Sequence, residues 1–364
     1  MALSKIDVAN MVENQMPQAN IDNNINFRNI VINGDMSQSQ RSTSVSSITG
    51  SGYNTVDRWH IVLSSLGTWT QSQSTDVPTG QGFAKSLKMD CTTADASPGS
   101  GDFLFLNQKV EGQNIQYLKK GTSSAQSTTL SFWVKSNKTG TYICELDDND
   151  NTRNINKSYT ISSADTWEKK EITFAGDTTG AFGNDNANSL QIIWWLGAGS
   201  NYTSGTLNNA WESTTNANRA VGQVNLADST SNEWYVTGVQ LEVGETASDF
   251  EFLPVDINLE RCQRYYQKLS NGSGPAASSS DSRLFMPFIN DMRSSPSLEQ
   301  DGVVHISDGY SADFVQSSTG TSILASNTQT IFIQLLNTTG LTTGRVYFYN
   351  RLITTNSIFA SAEL

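Results

Sequence analysis

The sequence predicts an all-β fold: a jelly-roll-like β-sandwich, followed by a short helix and a second, smaller β-sandwich. Charged residues make up only 16% of the chain. Ser, Thr, Asn and Gly take their place, and these residues favour turns and strand faces over helices. Apolar and polar side chains alternate over short segments that end at turn residues, as in half-buried strands. The chain has 364 residues, which is more than one core ordinarily organises.

Short segments between Asn29 and Val243 carry this alternation. In Leu130–Val134 the residues Leu130, Phe132 and Val134 share one face, while Ser131 and Trp133 share the other. The same pattern occurs in Asn29–Asn33, Arg58–Leu63, Phe103–Val110, Tyr142–Leu146, Trp167–Phe174, Leu190–Leu196 and Trp234–Val243. The phase of the alternation predicts a core position for Trp59, Trp194 and Trp234. It predicts that Trp133 and Trp195 face away from the core.

Four regions follow from the pattern along the chain. Residues 1–27 are predicted to form an N-terminal arm, because they are polar and largely without periodicity. Residues 28–250 form the first sandwich. Residues 251–283 form a linker that contains a helix over 257–269 and a flexible segment rich in Ser and Gly. Residues 284–364 return to strand-like alternation and form the second sandwich.

The bulk charge and the cysteines exclude several classes of protein. The formal net charge is −12, and basic residues do not cluster, so we expect no nucleic-acid partner. Three widely spaced cysteines, Cys91, Cys144 and Cys262, fit neither a disulfide framework nor a zinc site, and predict buried thiols. No apolar run is long enough to cross a membrane, and the first residues do not resemble a signal peptide. We therefore expect no membrane insertion.

Catalytic, metal and cofactor sites are not predicted. The two histidines, His60 and His305, lie in strand-like segments without a nucleophile-elbow motif. Paired carboxylates hydrolyse glycans without histidine, but the long β-helix repeats of such tailspikes are missing. The acidic segment that contains Asp147, Asp148 and Asp150 does not have the spacing of a calcium loop, and we expect a solvated loop there.

Aromatic residues in and after the strand Leu190–Leu196 are the candidate ligand-binding set. Trp195 is out of phase with the core, and Tyr202, Trp211 and Glu212 follow in a polar loop. Sugars stack on exposed rings, while carboxylate and amide groups bind their hydroxyls. The alternative is that these rings form a subunit interface or fold back onto the sandwich.

Several motifs resemble those of bacteriophage fibre proteins. The resemblance rests on NIVINGDMSQSQRSTS at Asn29–Ser44, YNTVDRW at Tyr53–Trp59, WYVTGVQLEVGETASDFEFLP at Trp234–Pro254, ERCQRYYQKL at Glu260–Leu269, MRSSPSLE at Met292–Glu299 and the terminal SAEL. The opening MALSKIDVANM is similar to the first residues of tail-fibre-like proteins of marine phages. The sandwich is similar in style to carbohydrate-binding modules.

This resemblance implies a virion structural protein, assembled in the host cytoplasm, that acts as a tail fibre or receptor-binding appendage in host attachment. It implies a homotrimer, an arm that binds other virion proteins, and a possible host-surface glycan as ligand. The apolar residues Ile6, Val8, Met11 and Val12 are the candidate attachment residues of that arm. Two alternatives stay open: a capsid or tail decoration protein that binds only virion proteins, and a glycan-degrading tailspike.

Overall fold

The computed structural model describes residues 27–308, 315–318, 320–336, 338, 340–350 and 357–364. The candidate attachment residues Ile6, Val8, Met11 and Val12 lie outside the described residues. The chain divides into two compact units at Leu253 and Pro254, and each is considered by itself. Nearly all regular structure is strand, which confirms the predicted all-β fold. Among the described residues, no helix is both long and apolar enough to span a membrane.

Unit 1, which ends at Leu253, is a sandwich of two antiparallel sheets. Its elements are β1 (Ser44–Ile48), β2 (Gly52–Tyr53), β3 (His60–Ser64), β4 (Thr68–Ser74), β5 (Ser86–Thr93), β6 (Phe103–Glu111), β7 (Thr128–Ser136), β8 (Gly140–Asp148), β9 (Arg153–Ile161), β10 (Glu168–Phe174), β11 (Asn188–Ala198), the short helix α1 (Ser200–Thr203), β12 (Glu212–Ser213) and β13 (Glu233–Val243). In the described chain, sheet A has the strand order β1-β4-β5-β13-β7-β10, and sheet B has the order β12-β9-β8-β11-β6-β3-β2.

The core of unit 1 lies between sheets A and B. Strand periodicity places every second side chain of each strand in this layer. Trp59, Trp194 and Trp234 are fully buried there, as the sequence predicts. Cys91 and Cys144 in unit 1 and Cys262 in unit 2 are buried thiols without a disulfide, which is also as predicted.

The segments Asn29–Asp35 and Val239–Glu242, which lie within the motifs Asn29–Ser44 and Trp234–Pro254, bind each other. Asn29 Nδ2 donates to the carbonyl of Val239 at 3.0 Å, and Asn29 Oδ1 accepts from the Leu241 N–H at 3.1 Å. The Val239 N–H donates to the carbonyl of Gly34 at 2.9 Å. A Cβ on Gly34 would lie 2.0 Å from the Val239 carbonyl oxygen, so only glycine allows this approach.

The segment Asn29–Asn33 is therefore not the strand that its alternation predicts. Side chains satisfy part of its backbone, since the Ile32 N–H donates to Gln108 Oε1 at 2.7 Å. The Ile30 N–H donates to the Leu241 carbonyl at 2.9 Å, but no continuous ladder forms. The motif closes the sandwich by joining the beginning of unit 1 to its last strand.

Unit 2 begins at Pro254 and is a second, smaller sandwich. Its elements are α2 (Val255–Gln263), β14 (Tyr266–Leu269), β15 (Asn271–Ser278), β16 (Asp281–Pro287), β17 (Ser297–Asp301), β18 (Val304–Ser307), β19 (Val315–Ser318), β20 (Gly320–Ser326), β21 (Thr330–Leu336), β22 (Val346–Asn350) and β23 (Ser357–Ser361). In the described residues, sheet C has the order β14-β23-β17, and sheet D has the order β19-β18-β22-β15-β16-β21-β20. Both sheets contribute to one apolar core.

Two features of the predicted linker differ from the structure. The helix ends at Gln263, and Tyr266–Leu269 pairs with β23 as a strand. The Ser- and Gly-rich segment after it forms β15 and the beginning of β16. Its small residues are required by packing: a Cβ on Gly274 would lie 1.9 Å from the carbonyl oxygen of Arg283. The Ser- and Gly-rich composition of this segment therefore reflects the close approach of its strands, and the segment is not a flexible linker.

We expect Asn29→Ala to destabilise unit 1 by about 3 kcal/mol, because the buried Val239 carbonyl and Leu241 N–H lose their partner. The measurement is the midpoint of the unfolding transition in urea. Asn209→Ala, at an exposed loop position, is the matched control and should leave the midpoint unchanged. Equal midpoints for the two variants would show that the motif does not hold the sandwich closed.

Candidate functional site

Strand β11 is buried on both of its faces. Leu190, Ile192, Trp194 and Leu196 face the core between the sheets. Ile193 and Trp195 face outward but are also buried, because residues 199–222 fold over the outer face of sheet B. They form a second apolar cluster whose buried members are Phe105, Ile143, Ile193, Trp195 and Ala220.

Glu145 on β8 holds this covering segment in place. The residue has no exposed surface, and its carboxylate accepts from Trp195 Nε1 at 2.7 Å, Arg219 Nε at 2.8 Å and Asn154 Nδ2 at 2.9 Å. The Arg219 guanidinium also lies over the Trp195 ring, 5.3 Å from its centroid. A buried carboxylate requires such partners. The bond from Arg219 to Glu145 therefore holds the covering segment against sheet B.

A row of polar side chains continues from Arg219 along the outer face of sheet B, in which Asn107 is fully buried and the other members are half-buried. Asp147 Oδ2 lies 3.8 Å from Arg219 Nη2 and accepts from Gln191 Nε2 at 3.4 Å. Asn107 Nδ2 donates to Gln191 Oε1 at 2.6 Å, and Asn107 Oδ1 lies 3.2 Å from His60 Nδ1. These five residues, on β3, β6, β11, β8 and the covering segment, are the polar row.

Two ionisable residues of the polar row, Asp147 and His60, have pKa values shifted in opposite directions. Burial, together with the neighbouring carboxylate of Glu145, raises the pKa of Asp147 to about 7, against the attraction of Arg219. Burial and the positive charge of Lys109 lower the pKa of His60 to about 4. Near neutral pH the imidazole of His60 is therefore uncharged, and the Asp147 carboxyl is present in both its protonated and its charged form.

Aromatic rings lie at the edge of the covering segment, four residues along β6 from Asn107 and beyond Phe105. Phe103 and Tyr202 are half-buried, and their ring centroids are 5.2 Å apart in an edge-to-face arrangement. Tyr202 also contacts Trp195, with a centroid distance of 5.5 Å. The surface therefore combines fixed amide, imidazole and carboxyl groups with apolar rings.

The four residues predicted to bind a ligand do not form one site. Trp195 is fully buried, so its ring cannot stack on a ligand. Trp195 faces away from the core, as its phase predicts, and it is buried because the covering segment lies over the outer face of β11. Tyr202 lies at the edge of the covering segment, whereas Trp211 and Glu212 lie elsewhere in unit 1. Glu212 is exposed on β12, where its backbone pairs with that of Asn154.

Trp211 is half-buried and packs on the core of unit 1. Its Nε1 donates to the carbonyl of Ala175 at 2.7 Å, and its ring lies above Lys120, with Nζ 5.3 Å from the centroid. The Lys120 ammonium is almost fully buried and forms ion pairs with Asp148 and Asp177. It also donates to the carbonyls of Thr179 and Gly180, both at 2.8 Å.

Lys120 thus occupies the centre of a set of oxygen atoms. Although burial acts to raise it, hydrogen bonds from Arg153 and Lys120 hold the pKa of Asp177 below its ordinary value. Asp148, which the sequence places in a solvated acidic loop, is buried against the ammonium. In the described residues, no group of three or more His, Cys, Asp or Glu side chains could hold a metal ion.

The polar row was missed by sequence analysis, although one signal is visible. Gln191 alternates with the core residues of β11, as Asp147 does with those of β8, so both can be assigned to an outer face. Their pairing depends on the register of β8 with β11, in which Gln191 lies opposite Asp147. That register cannot be obtained from either strand alone.

We expect Lys120→Met to destabilise unit 1 by about 3–5 kcal/mol, because two buried carboxylates lose their counter-charge. Thermal unfolding followed by circular dichroism measures the effect. Lys169→Met, which removes an exposed ion pair with Glu171, is the control and should shift the transition by less than about 1 kcal/mol. A Lys120→Met transition that coincides with the control would contradict the assigned role.

We expect Asp147→Asn to stabilise the protein progressively as the pH rises. The folded-state pKa of about 7 exceeds the ordinary value of 3.8, so the charged form is penalised only in the folded state. The penalty is absent below about pH 4 and complete above about pH 7, where we expect the variant to gain about 4 kcal/mol. His60 titrates in both proteins and cancels from the difference. A difference in stability that is constant from pH 4 to pH 8 would refute the raised pKa.

No protein-family model matches this sequence, and no curated protein sequence is similar to it. Three similar solved structures are the enzymatically active domain of bacteriophage CBA120 tailspike protein 4 (14% identity, TM-score 0.32, 60% of this chain and 22% of that one), a putative sugar binding protein from Bacteroides thetaiotaomicron (13%, 0.33, 59% and 100%), and TmCBM61 in complex with β-1,4-galactotriose (10%, 0.31, 60% and 99%). The chain therefore spans less than a quarter of the tailspike domain. These similarities concern the β-sandwich fold and not an activity.

Proposed function

We propose that this chain is a non-catalytic adhesion subunit of a bacteriophage particle, which binds a host-surface glycan along the polar row of sheet B. The observation that supports this most directly is the continuous chain of hydrogen bonds from His60 through Asn107 and Gln191 to Asp147. The virion context comes from the fibre-like motifs of the sequence.

The chemistry of the polar row suits a sugar. A pyranose offers hydroxyl groups, which both donate and accept hydrogen bonds, and an apolar C–H face. Amide, imidazole and carboxyl groups complement the hydroxyls, and Phe103 and Tyr202 provide rings for the apolar face. Because the side chains of the row hold one another in place, binding costs little side-chain entropy.

The same geometry favours binding over hydrolysis. A glycosidase needs one carboxylate that attacks or activates water and one that protonates the leaving group. Glu145 already accepts three hydrogen bonds and is fully buried. Asp147 is therefore without an accessible carboxylate partner on β8.

The outer face of sheet D supports a further part of the proposal, the association of subunits. Phe285 on β16 and Phe348 on β22 lie opposite the same residue, Ser273, and are 53% and 46% exposed. Val346 on the same strand as Phe348 is also exposed. An apolar face of this kind is typical of protein contacts. This face suits contacts between copies of the chain in a homotrimer. It also suits contacts with other virion proteins, so a decoration protein is the second candidate.

Multivalency makes weak sites sufficient in this proposal. A trimer presents the polar row several times on one particle, so each contact need not be tight. Residues 1–27 are proposed to attach the subunit to the virion.

The test is binding of the purified full chain to an array of bacterial surface polysaccharides. We expect retention without shortening of the polysaccharide, and a five- to tenfold weaker affinity for Gln191→Ala, which removes about 1 kcal/mol of hydrogen bonding at the centre of the row. Isothermal titration with the best array ligand measures the affinity.

Thr160→Ala is the matched control, because Thr160 is an exposed residue on β9 of the same sheet. It should bind as the wild type does. Equal affinities for wild type and Gln191→Ala would exclude the polar row as the binding site. A shortened polysaccharide would identify an enzyme, and a lack of binding would favour the decoration protein.

A further inference from the structure

The outer face of sheet A carries a second arrangement of aromatic residues, on the side of unit 1 opposite the polar row. Lys88 on β5 and Lys135 on β7 lie on either side of Tyr235 on β13. Their Nζ atoms are 5.4 Å and 4.4 Å from the centroid of the tyrosine ring. Lys135 Nζ is also 5.8 Å from the ring of Trp167, which lies 6.1 Å from that of Tyr235.

Trp133 extends this surface along β7. It lies two residues before Lys135, so both side chains emerge from the same face of the sheet. It pairs with Lys169 of β10, and Trp167 is two residues before Lys169. Trp167 immediately precedes β10, so the two tryptophans lie near each other at the end of the β7–β10 pair. Both are half-buried. We call Trp133, Trp167 and Tyr235 the aromatic platform.

Polar contacts fix the platform rigidly. Trp167 Nε1 donates to Asp76 Oδ1 at 2.9 Å, and the same carboxylate forms an ion pair with Lys135. Tyr235 Oη donates to Glu233 Oε2 at 2.6 Å, and Glu233 forms an ion pair with Lys88. The positions of the Trp167 and Tyr235 rings are thus set before any ligand arrives, and Lys88 and Lys135 each have a carboxylate counter-charge.

The surroundings of the platform distinguish between two classes of ligand. A protein-binding patch is enriched in large apolar residues and depleted in Lys, Glu and Asp at its centre. The exposed ring of Phe252 packs on Phe83 beside Gly238 of β13 and on Phe250, and it forms no ring contact with Trp133, Trp167 or Tyr235. The rings of the platform are instead interleaved with Lys88, Lys135, Lys169, Asp76 and Glu233. Flat rings bordered by balanced polar groups fit an uncharged ligand with apolar faces and many hydroxyls.

We infer that the outer face of sheet A is a second carbohydrate site, which binds a neutral linear glycan. The sugar rings stack on Trp133 and Trp167, and the bordering carboxylates and ammonium groups bind hydroxyls. The balanced charge of the border disfavours a strongly charged polysaccharide. This inference is independent of the polar row, because the two surfaces lie on opposite sheets of unit 1.

The test uses the full chain and an array of neutral hexasaccharides in gluco, manno, galacto and xylo configurations, with alginate as a charged comparison. We expect at least one neutral hexasaccharide to bind more strongly than alginate. Trp133→Ala combined with Trp167→Ala should weaken that binding at least tenfold, because each ring contributes on the order of 1 kcal/mol. Trp133→Phe combined with Trp167→Phe should retain most of it. Thr70→Ala, on β4 of the same sheet, is the control.

Gln191→Ala separates this inference from the proposed function. Loss with the Trp→Ala pair but not with Gln191→Ala supports the platform alone. Loss with Gln191→Ala but not with the Trp→Ala pair overturns the platform and leaves the polar row. Binding of alginate alone, or of no neutral hexasaccharide, also overturns it. A changed sedimentation coefficient of the folded Trp→Ala pair would instead assign the rings to a subunit contact.

Discussion

The buried carboxylate of Glu145 is the interaction on which the outer face of sheet B depends. It is the common acceptor for Trp195, Asn154 and Arg219, and these donors come from β11, β9 and the covering segment. Since an unpartnered buried charge costs several kcal/mol, the three elements cannot separate independently. Burial is the main cause of the raised pKa of Asp147, and the Glu145 carboxylate raises it further.

The sandwich uses its two outer faces differently. Sheet B is half covered, and its outer face presents hydrogen-bonding groups beside the rim of a loop. Sheet A is partly covered as well, because residues 244–252 fold back over Gln240 and Glu242 of β13. Its open part presents rings held by lysines and carboxylates. Most residues of both surfaces lie on strands, with Arg219 of the covering segment and Trp167 before β10 as exceptions. Strands of a packed sheet position side chains more rigidly than loops do, which favours recognition of small, stiff ligands such as sugars.

The long polar loops have a structural role instead. Trp211 was expected to bind a ligand because it is a large ring in a polar loop. In the structure its indole covers the buried Lys120 and donates to the carbonyl of Ala175. Asp148, the last residue of β8 in the predicted acidic loop, neutralises that ammonium. A polar loop composition therefore did not indicate solvent exposure, because these polar groups satisfy one another inside unit 1.

The sequence by itself determined the all-β class, the core positions of Trp59, Trp194 and Trp234, and the outward position of Trp133. Each of these follows from alternation within one strand, which is a local property of the chain. The tertiary structure alone decided that Trp195 is buried and that Gln191 meets Asp147. It also decided that Asn29 fastens β13 and that Ser270–Ser282 forms strands. These features depend on strand register and on which segment covers a face, and both are set by contacts between residues distant in the sequence.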